Sequence, residues 1–200
     1  MKPAGRAARL VAAVLAAGLL GLGPPAPGVG TPADECCYQV PSGAMKPTLF
    51  PHDKFGLAKY GAGAEARRGD VVAFKRTKDG SAIYVQRLVG LPGDRVQMSR
   101  GTLQLNGQSV KRDRLGDFVD EEDGRQTRFR RWRETLPNGV SYETIDTKDD
   151  YLLADTPAST VPPSRYFVMG DNRENSLDSR SLSSVGYVPA DLIMGRVVVQ

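Results

Sequence analysis

The sequence predicts an all-β domain, and three observations carry the prediction. Short apolar or alternating runs follow one another from Tyr38 onward. Gly, Pro, Asn and Asp punctuate them, and little of the chain shows the apolar period of an amphipathic helix. In order, the runs are "GDVVAF" (69–74), "AIYVQRLVG" (82–90), "DRVQM" (94–98), "TLQLNG" (102–107), "SYETI" (141–145), "RYFVMG" (165–170) and "LIMGRVVV" (192–199). Their β-branched and aromatic residues suit a pleated, half-buried surface. Asn106-Gly107 and Asn138-Gly139 are tight-turn signals between such runs. From Lys111 to Arg133 the chain is polar: residues 117–123 are acidic, and Arg125, Arg128, Arg130, Arg131 and Arg133 follow. Opposite charges this close predict a solvated, self-complementing insertion, with contact to anionic lipid as the sharper alternative.

The bulk numbers bound the function. Two hundred residues hold one domain, or one core with an inserted subdomain. The net charge of +4 suits work beside an anionic membrane surface. No helical or aromatic reading motif accompanies it, so nucleic acid is not an expected partner. Cys36 and Cys37 are adjacent, poorly placed to bond each other and without the spacing of a zinc site. "GLPGD" (90–94) is a turn signal and not a phosphate loop, so neither a cofactor nor a metal is expected.

At the N-terminus, Lys2, Arg6 and Arg9 precede the apolar run "LVAAVLAAGLLGLG" (10–23), followed by "PPAPGVGTPA" (24–33). That order is the pattern of a secretory signal. The run is short against the roughly 20 residues of a membrane span. Residues 1–33 therefore read as a removable signal peptide or a membrane anchor, and residues 34–200 as the exported domain.

Four stretches in order give the chain a family likeness: "PSGAMKPTL" (41–49), "RRGDVVAFK" (67–75), "YVQRLVGLPGDRV" (84–96) and "MGDNRENSLDSR" (169–180). Together with "ETLPNGVSY" (134–142) and "VGYVP" (185–189), they resemble type I signal peptidase, the membrane-associated serine–lysine protease that removes signal peptides from exported preproteins. The resemblance implies an antiparallel β catalytic core with a second β-rich subdomain inserted at about residues 100–165. It implies a place at a bacterial-type inner membrane facing the periplasm or exterior, or export as a soluble protein if residues 1–33 are removed. The partners it implies are signal peptides or other extended peptides of exported proteins, the membrane, and an active signal peptidase.

The same resemblance marks a departure. The family's nucleophilic serine falls on Ala44 and its general-base lysine on Gln86. Alanine has no lone pair with which to attack, and a glutamine amide is not a base. The supporting residues match: Ser42 at the oxyanion position, Ser176 where the base is oriented, Asp178 and Arg180 as a brace. Met45, Pro47, Gly170, Asp171, Asn172 and Arg173 match beside the site. The expectation is a peptide-binding pseudoprotease. The alternatives are an active signal peptidase using displaced groups and an engineered inactive variant. Lys46, two residues past Ala44, is the candidate substitute base; His52 reads as a surface or capping residue.

Overall fold

The computed structural model describes residues 36–61, 64–78, 80, 82–122 and 124–199, with the backbone alone at Cys36 and Cys37. The expected signal or anchor, residues 1–33, lies outside them. The described chain is all-β, with two single-turn 3-10 segments, Gly43–Met45 and Ala190–Leu192.

A seven-stranded antiparallel sheet forms the body. Its strands are β1 (Cys36–Gln39), β2 (Lys54–Ala58), β3 (Val71–Lys75), β4 (Ile83–Gly90), β13 (Arg165–Met169), β14 (Val188–Pro189) and β15 (Ile193–Val199), in the order β1-β2-β15-β3-β4-β13-β14. Both faces are covered, so the central strands are near-continuous apolar runs. Side chains alternate between faces. Ala73 packs with Met45, Leu49, Phe55 and Val85, while its neighbours Val72 and Phe74 pack with Leu88, Tyr166 and Val168.

Residues 95–160 build two smaller sheets. One contains β5 (Arg95–Ser99), β6 (Thr102–Leu105), β7 (Gln108–Ser109) and β12 (Ser159–Thr160). Its Val96, Met98, Leu103 and Leu105 share a core with Val89, Phe167 and Met169 of the large sheet. Asn106 and Gly107 take positive φ in the turn from β6 to β7, as the turn signal predicts. The other contains β8 (Lys111–Arg114), β9 (Phe118–Glu122), β10 (Arg125–Thr135) and β11 (Ser141–Asp146). Strand β10 pairs with β9 through its first half and with β8 and β11 through its second.

The charged stretch expected to be solvated is therefore three strands, and its charges divide. Asp117 pairs with Arg114 and Arg128, as a self-complementing segment should. The Arg112 side chain is instead largely buried, against Asp146 and Glu134, and Asp120 and Glu122 reach out of the segment to Lys46. Arg130, Arg131 and Arg133 each have a carboxylate partner too.

Candidate functional site

The chain leaves β1 into the segment 40–49. Buried Val40, Met45 and Leu49 anchor it in the core beneath the large sheet. Between those anchors the backbone makes one 3-10 turn, capped by Ser42, whose Oγ accepts the Ala44 N–H at 3.4 Å. The turn's carbonyls are held from the loop after β13: Asn172 N–H donates to Ala44 O at 3.0 Å, and Asn172 Nδ2 to Gly43 O at 3.2 Å.

That loop approaches because residue 170 is glycine. A Cβ there would lie 2.6 Å from the Ala44 carbonyl oxygen and nearer still to Ser176 Oγ and Cβ, so any side chain would force the two loops apart. Below it, Arg180 forms a two-pronged pair with Asp178, both contacts 2.8 Å, and Asp178 Oδ2 accepts the Gly170 N–H at 3.0 Å. Arg173 forks onto Glu134 at 2.9 and 2.6 Å. Burial alone would raise the Glu134 carboxyl, but Arg173, with Arg112 and the Tyr142 hydroxyl, outweighs it and holds the group below the usual carboxylate range.

Asp171 is buried at the centre of a hydrogen-bond network. It receives Arg87 Nε at 2.9 Å and Nη2 at 2.7 Å, and the Thr48 hydroxyl at 2.5 Å. Arg87 also donates to Gly69 O at 2.9 Å, and its guanidinium lies 4.2 Å from the Tyr142 ring centre. This network ties β4, the 40–49 segment, β11 and the loop after β13 together. Thr48, Glu134 and Tyr142 were not singled out from sequence, although Glu134 and Tyr142 lie in the motif "ETLPNGVSY".

Within this frame, Ala44 and Gln86 line one cleft of about 390 Å³, with Ser42, Met45, Tyr84 and Leu177 among the other walls. Gln86 is 2% exposed. Its Nε2 donates to Leu177 O at 2.7 Å and Ser176 Oγ at 3.3 Å, while its Oε1 is buried without a partner. Exchanging amide N and O would set oxygen against the Leu177 carbonyl, so the flip offers no relief. Strand β4 pairs with β3 across residues 83–87 but with β13 only from Arg87 to Gly90. Over residues 83–86, one edge of β4 is unpaired among the described residues and runs along the cleft. Pro47 lies just past this wall in the same segment.

Lys46 does not turn toward Ala44. Its Nζ lies 2.7 Å from Asp120 and 3.6 Å from Glu122, and Lys46 borders a different, polar cleft. Burial pulls its pKa down, but the two carboxylates outweigh that and leave it raised, so it is a fixed cation and not a displaced base. His52 sits exposed in a turn at φ 71°, as a surface residue should. Among the described residues no cluster of His, Cys, Asp and Glu is arranged to hold a metal ion.

The structure thus defines an all-β domain with a braced loop beside an open strand edge. A sequence model of the family "Signal peptidase, peptidase S26" matches residues 34–200. The signal peptidase I of Rickettsia canadensis is 33% identical over 179 residues, covering 76% of this chain and 66% of that protein. That of Rickettsia typhi is 32% identical over 188 residues, covering 80% and 69%. A crystal structure of a signal peptidase I from Enterococcus faecalis V583 aligns at 27% identity with a TM-score of 0.40, covering 67% of this chain and 97% of that one. The chain belongs to the signal peptidase family, and it spans about two thirds of the length of the curated relatives it matches.

Proposed function

We propose that this protein binds extended peptides of exported proteins, signal peptides in particular, without cleaving them. The observation that carries the reading is the pairing of Ala44 and Gln86 across one cleft whose surrounding scaffold is fully braced. A serine–lysine mechanism needs an oxygen nucleophile and a neutral amine in those two places. Here one wall offers a methyl group. The other offers an amide whose nitrogen occupies the bonds to Ser176 and Leu177 that would orient an amine. No described lysine takes over, because Lys46 is held by Asp120 on the far side of the turn.

Binding uses features that neither residue removes. The free edge of β4 at residues 83–86 presents backbone donors and acceptors for strand addition, and the Ala44–Leu177 walls suit small side chains. The domain assignment follows: residues 34–200 form the peptide-binding unit, with residues 100–165 as its approximate insertion. Residues 1–33 serve as export signal or anchor, placing the unit at the outer face of the membrane or beyond it. An active signal peptidase is the partner to which a held client would pass.

Calorimetry tests the proposal. A signal-peptide fragment with alanine at the positions that face the Ala44–Leu177 walls is expected to bind more tightly than one with bulky residues there. Equal affinity, or no binding by either, contradicts it.

A further inference from the structure

Among the described residues, 118–129 of the β9–β10 hairpin pair with no strand but each other, and most of them are exposed. A lone two-stranded hairpin is marginal in water, so side-chain contacts must fix where this one lies. Phe118, Asp120 and Glu122 alternate onto one face of β9, and that face meets the 43–50 segment. The Phe50 ring centre lies 6.3 Å from that of Phe118, which lies 6.2 Å from that of Phe129. Lys46 Nζ lies 2.7 Å from Asp120 and 3.6 Å from Glu122. The Glu122 side chain is 71% exposed, so water screens its charge; Asp120, at 15%, is the effective counter-ion.

What Lys46 does for the turn follows from where its stem lies. Its backbone N–H closes the 3-10 turn on Gly43 O at 3.2 Å. Its side chain then doubles back over Gly43: a Cβ built on that glycine would lie 3.5 Å from Lys46 Cε and 3.6 Å from Cδ. The stem thus covers Gly43, beside Ala44, while Asn172 holds the carbonyls of both from the loop after β13. The Lys46 side chain is 8% exposed. An ammonium group this covered stays in place only while a counter-charge balances its lost hydration. Without Asp120 it would withdraw into water and lift its stem off Gly43. The turn would then keep only the Asn172 bonds and the 3.4 Å contact from the Ala44 N–H to Ser42.

We propose that Asp120 is a positioning residue for peptide binding. Acting through Lys46, it seats the 43–46 turn, so the β9–β10 hairpin governs how firmly the Ala44 cleft holds a peptide. This rests on the peptide-binding reading above and extends it to a strand that lines no part of the Ala44 cleft.

Calorimetry of the full chain with the alanine-bearing peptide tests it, with circular dichroism to confirm that each variant is folded. Asp120→Asn removes the counter-charge at nearly constant shape and is expected to weaken binding about fivefold, within the range of coupling between residues in contact. Asp120→Glu keeps the charge and is expected to restore most of that loss. The double variant Asp120→Asn with Lys46→Met separates positioning from general loosening. A methionine stem stays on Gly43 with no charge to hydrate, so the double is expected to recover most of the affinity, although the ion pair is gone from it too. Parent-like binding by Asp120→Asn, or a double variant as weak as Asp120→Asn, refutes the proposal and leaves the binding reading standing. Should Asp120→Asn not fold, Asp120→Ser removes the same charge and carries the same expectations. If the parent binds no peptide, the binding reading fails and this proposal with it.

Discussion

Gln86→Lys places an amine where the proposed reading sets the missing base and tests whether that position is buried. The parent side chain is 2% exposed. A lysine there keeps two acceptors, Leu177 O and Ser176 Oγ, but gains no free carboxylate: Asp171 is committed to Arg87 and Asp178 to Arg180. Desolvation then dominates and lowers the folded-state pKa, by roughly 3 units on the scale of buried lysines. At about 1.4 kcal/mol per unit, the cost at neutral pH approaches 4 kcal/mol. Removing the orphaned Gln86 Oε1 offsets about 1–3 kcal/mol of it. The net expectation is a variant less stable than the parent at pH 7 by about 1–3 kcal/mol. The sign with pH follows from linkage. With the folded pKa depressed, the unfolded state binds more protons between that pKa and the unfolded value of about 10.4, so the deficit shrinks as pH rises and its electrostatic part vanishes above about 10.4. Denaturant unfolding of parent and variant from pH 7 to about 10.5, read as a difference, measures it. A difference that does not change with pH would show the introduced amine to be solvated. That would refute the argument that this site has kept the buried base position.

Other perturbations probe the frame. Gly170→Ala drives a Cβ to 2.6 Å from Ala44 O and into the Ser176 side chain; it is expected to destabilise by at least the 1–3 kcal/mol usual for overpacking and to weaken peptide binding, both readable by unfolding and calorimetry. Asp171→Asn leaves the buried Arg87 guanidinium without its counter-charge and is expected to cost about 3–5 kcal/mol in denaturant unfolding, with little salt dependence because the pair is shielded from solvent. Neither Ala44→Ser nor Gln86→Lys alone is expected to give peptide cleavage, whereas the double variant regains it; activity in a single variant equal to the double would show that the two positions do not act as a pair.

The strands of the large sheet were legible because burial on both faces leaves uninterrupted runs such as "VVAF" and "YVQRLVG". Strands β9 and β10 were not. Their residues are largely exposed, so arginines and glutamates occupy positions where alternation would otherwise signal a strand. Strands β1 and β2 were not read either: "CCYQ" has no alternation, and Gly56 interrupts the apolar run of "KFGLA". At the site, the family resemblance pointed to Ser42, Ala44, Gln86 and Ser176, and the structure brings those four together. The partners of Lys46 and Arg173 were hidden for a different reason. Asp120 is 74 residues from Lys46 and Glu134 is 39 from Arg173, so tertiary packing alone makes those pairs. Lys46 read as a candidate base while its counter-ions were unknown; the β9–β10 hairpin supplies them.

The proposed function gives this member of the signal peptidase family a peptide cleft that binds and does not cleave. Turnover of a preprotein by the purified protein tests this most directly, with a no-enzyme control and the Ser42→Ala variant alongside. Cleavage no faster than the control is expected at any pH at which the protein is folded, because Ala44 offers no nucleophile and Gln86 no base. Cleavage above the control that Ser42→Ala abolishes would contradict it and assign the reaction to Ser42.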